Sequence, residues 1–228
     1  VEHGKSVAFT AAPAAGYRVK GWTLDGTAIA EAGTNTEYTL TVTKPAAVTV
    51  SFEPKKALLT LAAGKNTVKV RAKTADGKPI VVKGCNVETL ANDTETTLTA
   101  TGTTVVLKGK IIGLACEKNQ LTALNVQGLT ALERLYCNNN KLTALNVSGL
   151  TALQELICNN NDQLTALNVQ GCTALTKLNC RHNQLKTLNV SDCTALKELN
   201  CSSNQLKTLN VQGLIALKEL LCLGNKLS

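Results

Sequence analysis

The chain has 228 residues, 44% of them hydrophobic, which is enough for one to three domains with a real core. No run approaches the ~20 consecutive apolar residues that cross a bilayer as a helix, so no membrane insertion is expected within this stretch. The net charge is +8, but most of the excess lies in residues 54–113, where ten Lys/Arg face four Asp/Glu and no Phe, Tyr or Trp is interleaved among them; a groove for nucleic acid needs such stacking platforms, so nucleic acid is not an expected partner.

Residues 1–53 read as β-structure. The segments SVAFTA, YRVKGWTLDG, EYTLTVT and AVTVSFE alternate apolar with polar positions and are separated by Gly, Pro and Asn. Five of the six aromatic residues fall here (Phe9, Tyr17, Trp22, Tyr38 and Phe52), and the change in composition places a domain boundary near Glu53–Pro54. The order GKSVAFTAAPAAGYRVKGWTLDG, followed by YTLTVT and VTVSFE, resembles the B-repeat module of bacterial internalin-like surface proteins over essentially all 53 positions. Trp22 is read as the core of this small domain, with a sugar-stacking platform as the alternative. The chain begins at Val1 and contains no Met, which is read as a processed or cut end.

Residues 54–113 also read as β, in ALLTL, TVKVRAK, PIVVKG, TETTLTA and TVVLKG, with a turn at Ala75-Asp76-Gly77-Lys78-Pro79. The lysines of this segment, among them Lys65, Lys69, Lys73 and Lys83, are read as solvated residues that blunt strand edges. Its last strand runs through Ile111-Ile112-Gly113 directly into a periodic stretch that starts at Leu114. A stacked repeat array needs its open apolar end covered, so residues 54–113 are expected to act as an N-terminal cap. The order of segments is similar to that of small β-domains preceding such repeats in surface proteins of anaerobic bacteria.

From Leu114 the chain repeats in register. Units begin at Leu114, Leu135, Leu156, Leu178 and Leu199, the third carrying one extra residue, and a sixth begins at Leu220. Joined across unit boundaries they read L-x-x-L-x-C-x-x-N-x-L-x-x-L, as in Leu132, Leu135, Cys137, Asn140, Leu142 and Leu145. This resembles the leucine-rich-repeat signature with Cys in the third core position. Leu135 and Cys137 are two apart and share one face of a strand, while Tyr136 points the other way. Each unit is too short to bury its own apolar face, so neighbours must stack. The expected fold is mainly β: a right-handed leucine-rich-repeat solenoid of five full turns plus a partial sixth over residues 114–228, preceded by two small β domains at 1–53 and 54–113.

The nine cysteines are read through the repeat. Cys116, Cys137, Cys158, Cys180, Cys201 and Cys222 take the same inward position, and Cys172 and Cys193 replace a core Leu. Such residues are small buried hydrophobes, and free thiols are expected because in-register parallel side chains fit poorly with a disulfide torsion near 90°. A single file of thiols does not offer tetrahedral coordination, so neither a metal nor another cofactor is expected. Asn119, Asn140, Asn161, Asn183, Asn204 and Asn225 recur where the chain leaves the strand; inward amides there satisfy loop backbone turn after turn. Asp162 or its neighbour should bulge outward. No nucleophile–His–carboxylate set can be assembled around His3 or His182, no phosphate-binding loop is present, and no catalytic residue is assigned.

The outward positions of the concave strand face are the expected partner-binding surface. Between the core residues lie Tyr136, Ile157, Asn179 and Asn200. Before them come Arg134, Glu155, Lys177 and Glu198, and after them Asn138, Asn159 and Arg181. The Tyr136–Ile157 pair is the most informative spot, a rigid amphipathic anchor beside an exposed Ile. The resemblance implies an extracellular or cell-surface, adhesin-like protein, not an enzyme, binding a protein of a host or neighbouring cell. The alternatives are a structural spacer and a glycan binder. The chain departs from the family habit of Asp at Asn125, Asn146, Asn168, Asn189 and Asn210, which bears on the ligand and not on the fold. The sixth turn stops at Ser228 with Leu220, Cys222 and Leu227 at an open edge, expected either to pair two chains or to continue in a longer protein.

Overall fold

Valine, threonine, leucine and aromatic residues alternating with polar ones favour extended backbone, because one face is buried while the other meets water. The computed structural model, which describes residues 3–14 and 17–228, contains twenty such strands and, among the described residues, no helix. The chain divides into two compact units, Val1–Lys55 and Lys56–Ser228.

The first unit holds β1 (Ser6–Thr10), β2 (Tyr17–Leu24), β3 (Thr27–Ala28), β4 (Glu37–Thr41) and β5 (Val48–Pro54). β1 pairs with β4, and β2 lies between β3 and β5, all antiparallel. The β2–β3 turn is made by Asp25 and Gly26, both at positive φ (50° and 82°), the conformation a two-residue hairpin requires. Ala11, Val19, Trp22, Ile29 and Ala32 form the core. Trp22 is 3% exposed, its indole N–H donates to the Asn35 carbonyl at 2.8 Å, and its ring lies 6.0 Å from that of Tyr38. The indole is therefore structural and offers no face for stacking a sugar.

The second unit continues with β6 (Lys56–Leu61), β7 (Thr67–Thr74), β8 (Ile80–Lys83), β9 (Thr89–Leu90), β10 (Thr96–Thr99), β11 (Thr104–Lys108), β12 (Ile111–Ala115) and β13 (Leu121–Asn125). The repeats then add β14 (Arg134–Tyr136), β15 (Ala144–Asn146), β16 (Glu155–Ile157), β17 (Ala166–Asn168), β18 (Lys177–Asn179), β19 (Glu198–Asn200) and β20 (Glu219–Leu221). The front sheet has eight strands in the order β10-β7-β12-β14-β16-β18-β19-β20. On the opposite wall β13 joins a five-stranded sheet, β13-β6-β11-β8-β9, and β15 pairs with β17.

Residues 56–113 and the repeats share one hydrophobic core running from Ala57 to Leu214. β12 is the junction: it pairs parallel with β14 through Leu114 and Leu135, and antiparallel with β7 through Ala115 and Arg71. On the other wall β6 lies between β13 and β11 and pairs antiparallel with both. Both walls of the first turn thus pass into antiparallel sheet, and Val68, Val70 and Ala72 of β7 point inward under the first leucines.

Within the repeats the register is regular. Leu135, Leu156, Leu178 and Leu199 lie opposite one another and are at most 1% exposed, and Cys137, Cys158, Cys180 and Cys201 are fully buried. Leu220 and Leu221 on β20, the end strand of the front sheet, are each 39% exposed. The extra residue of the third unit is taken up in an exposed turn at Asp162 and Gln163, outside the core.

The asparagine ladder bonds adjacent turns to one another. The Asn140 side-chain N–H₂ donates to the carbonyls of Cys137 and Cys116, both at 3.0 Å, while its Oδ1 accepts from the backbone N–H of Asn119 and Leu121. Asn161, Asn183, Asn204 and Asn225 repeat the donation to the cysteine carbonyl of their own turn and of the one before. Asn119 has no earlier repeat, and it exchanges two 2.7 Å bonds with the Lys69 backbone instead, which ties the ladder to β7. The residue just before each ladder asparagine is left-handed: Lys118, Asn139, Asn160, His182, Ser203 and Gly224 all have φ between 52° and 69°.

Candidate functional site

Because the buried leucine of each front strand sits between two outward residues, the sheet displays rows of side chains in register. In one row Arg134, Glu155, Lys177 and Glu198 are consecutive partners; in the next Tyr136, Ile157, Asn179 and Asn200 are. Arg134 is exposed and the other seven are half-buried by their neighbours. Asn138 and Asn159, one rung further along, are half-buried and Arg181 is exposed. The structure therefore brings the residues selected from the sequence to one face. Ser202, which follows Arg181 in that row, is buried at 8% exposure.

The face is ordered by internal bonds. Tyr136 does not project freely into solvent: its hydroxyl donates to Glu155 Oε2 at 2.6 Å, and its ring is half-buried beside Ile157. Burial first, and the hydrogen bond to Glu155 second, push the phenol up to about 12, so it stays neutral and donating at physiological pH. Lys177 reaches Glu198 at 2.7 Å, which raises its ammonium above its usual value. Asn179 and Asn200 turn their Oδ1 atoms onto the backbone N–H of Arg181 and Ser202. The result is a pre-arranged surface of amides, paired charges and one aromatic–aliphatic pair.

The ladder thiols beneath this face are chemically quiet. All nine cysteines are free, and burial pushes Cys158 and Cys193 up to about 12 and Cys172 and Cys201 to about 11. Cys116, Cys137 and Cys180 are raised by the same desolvation. A thiol held protonated is neither a nucleophile nor a metal ligand at neutral pH. Cys172 Sγ donates to the Val147 carbonyl at 3.2 Å and Cys193 Sγ faces that of Val169, which starts a second, shorter column on the far side of the core.

The front sheet extends beyond the repeats, which the repeat pattern alone does not reveal. Arg71 and Lys73 stand outward on β7, in register with Ala115 and Gly113 of β12, and continue the rows of Tyr136 and Arg134, with Lys69 outward two residues further along β7. A signal is present in the strict alternation of TVKVRAKT, whose polar positions are all basic or threonine. What the sequence cannot supply is the partner strand, since pairing β7 with β12 joins residues about forty apart.

Residues 1–56 match the family model described as the divergent InlB B-repeat domain. A solved structure described as the functional domain of InlJ from Listeria monocytogenes, which includes a cysteine ladder, is 36% identical, with a TM-score of 0.44; the match covers 51% of this chain and 30% of that chain. No curated protein matches. With an InlB B-repeat-like domain at residues 1–56 and leucine-rich repeats from Leu114 onward, the chain is internalin-like.

Proposed function

We propose that this is a cell-surface or extracellular adhesin-type module that binds a protein of a host or neighbouring cell with the front strand face of its repeats, and that residues 54–113 serve as the solenoid's N-terminal cap. The observation that carries the reading is the Tyr136–Ile157 pair. The two residues are opposite each other on adjacent strands, and the phenol is fixed by Glu155. An aromatic anchor already held in one rotamer loses little entropy on binding and suits the centre of an interface. Around it lie Arg134, Lys177, Glu198, Asn179 and Asn200, a polar rim able to select a partner by charge and hydrogen bonding. The capping role is supported by the continuation of both solenoid walls into β6 and β7 and by the Asn119–Lys69 bonds. Binding, not catalysis, is the use such a face supports.

The test is capture of biotin-labelled surface proteins from intact cells by the full chain. Tyr136→Ala with Ile157→Ala should leave the circular dichroism spectrum unchanged and abolish capture. Thr187→Ala with Thr208→Ala, exposed positions on the other side of the repeats, should do neither. Equal capture by the front-face variant would remove this site, and absence of capture in every arm would leave the spacer reading. A glycan array on the same sample addresses the remaining alternative, for which Tyr136 is the available stacking residue.

A further inference from the structure

β12 differs from the strands beside it. Its outward residues are Gly113 and Ala115, whereas its neighbours carry long side chains there: Lys73 and Arg71 on β7, Arg134 and Tyr136 on β14. Two strand spacings separate these walls, about 10 Å. A trough of about 670 Å³ therefore runs along the strand direction, with almost no side chain on its floor. A chain in extended form, rising ~3.3 Å per residue, would lay a few residues along it. β12 is hydrogen-bonded on both edges, so such a segment cannot be added as another strand and must be recognised by side chains.

The charge of the trough is lopsided. Five cations line it, Lys69, Arg71, Lys73, Lys118 and Arg134, against three carboxylates, Asp93, Glu95 and Glu117. Asp93 and Glu95 belong to the segment leading into β10, on the side of β7 away from β12. There Asp93 holds Arg71 at 2.8 Å and Lys73 at 3.7 Å, and Glu95 holds Lys69 at 2.6 Å. These pairs fix the cations of one wall in place. Arg134 on the other wall and Lys118 at the end of β12 have no ion pair among the described residues.

We infer that this trough is the subsite of the front face that receives an extended acidic segment of the protein partner, its carboxylates meeting Arg134 and Lys118 while its backbone lies over Gly113 and Ala115. The inference rests on the proposed use of the front face. Arg134 supplies the planar fork that a carboxylate accepts in two bonds. Gly113 lets a backbone approach closely, and the Tyr136 ring gives the segment an apolar wall.

The probe is a fluorescein-labelled alternating Asp-Thr decapeptide, titrated into the full chain by fluorescence polarisation. An Asn-Thr peptide of the same length and heparin serve as comparators. The acidic peptide should bind, the amide peptide should not, and raising salt from 50 to 300 mM should weaken binding severalfold. Arg134→Glu reverses an exposed charge and should weaken the peptide about tenfold, the loss of one charge-assisted pair, and Ala115→Trp, which fills the trough from an outward position, should exclude the segment and weaken it at least as much. Thr187→Trp, an exposed position on the other side of the repeats, should have no effect. Equal binding of both peptides, or of the acidic peptide to the parent and the Ala115→Trp chain, overturns the inference. So does binding of fluorescein-labelled heparin that Ala115→Trp removes while the acidic peptide does not bind, which would make the ligand an anionic polysaccharide. In the cell-surface capture assay, loss with Tyr136→Ala/Ile157→Ala but not with Ala115→Trp sinks the trough alone, and loss with neither sinks the front-face reading itself.

Discussion

Alkaline unfolding is the sharpest consequence of the thiol columns. Seven cysteines (Cys116, Cys137, Cys158, Cys172, Cys180, Cys193 and Cys201) are buried and have thiols raised above their usual value by desolvation, Cys172 and Cys201 to about 11 and Cys158 and Cys193 to about 12. In the unfolded chain the same thiols titrate near 8.5. A folded value above the unfolded one means the stabilisation is complete below pH ~8.5 and is lost as pH rises toward the folded value. Between pH 8 and 9.5 each of the four thiols held at about 11–12 should withdraw about 1.2 kcal/mol, so these four together withdraw roughly 5 kcal/mol and the other three act in the same direction. That reaches the whole stability of the less stable domains, ~5–15 kcal/mol being the usual range. Urea denaturation followed by circular dichroism at pH 7.5, 8.5 and 9.5, with a phosphine reductant, should show a midpoint falling steeply over the last interval. A midpoint constant to within a few tenths molar from pH 7.5 to 9.5 would refute the assignment of these thiols as protonated core.

Thiol counting with Ellman's reagent under native conditions should find two fast-reacting groups, the half-buried Cys85 and Cys222, with the rest released only by denaturant. Asn161→Ala leaves the Leu142 N–H without its acceptor in the core and removes one of the two donors to each of the Cys137 and Cys158 carbonyls, which keep Asn140 and Asn183; the change should cost about 2–4 kcal/mol by chemical denaturation. Gly84→Ala should cost about 3 kcal/mol or more, since φ is +80° and a β-carbon would lie 2.2 Å from the Thr104 carbonyl oxygen. Ser203→Asn should instead stabilise by about 0.5–1 kcal/mol, because Ser203 holds φ 56° and asparagine tolerates that conformation better; a lowered melting temperature would contradict it.

The repeats are legible in the sequence because two local rules agree. Period-two alternation sets Leu135 and Cys137 inward and Tyr136 outward, and the returning asparagine marks where the backbone needs a donor and an acceptor. Neither rule depends on distant residues. The asparagines at 125, 146, 168, 189 and 210 also have a local account: each Oδ1 accepts the N–H two residues on, closing the turn, and aspartate would do the same. What lies beyond the sequence is non-local or counter to type. The bulged antiparallel pairing of β12 with β7 arises from covering the first turn, not from any local pattern. The left-handed backbone at Lys118, His182 and Ser203 carries no glycine or asparagine signal and is imposed by stacking. Alternation puts Tyr136 on the correct face, but its bond to Glu155 depends on the cross-strand register. The trough is hidden for the opposite reason: Gly113 and Ala115 look featureless until their neighbours are known.

Each ladder asparagine spans a seam, with one donor to its own turn and one to the turn before. A unit spliced in or deleted whole presents the next rung with the same carbonyl at the same height, while a single-residue change is absorbed only at the outer bend, as at Asp162 and Gln163. Arrays built this way grow by duplication of entire coils, and their reach can be retuned without redesigning the interior.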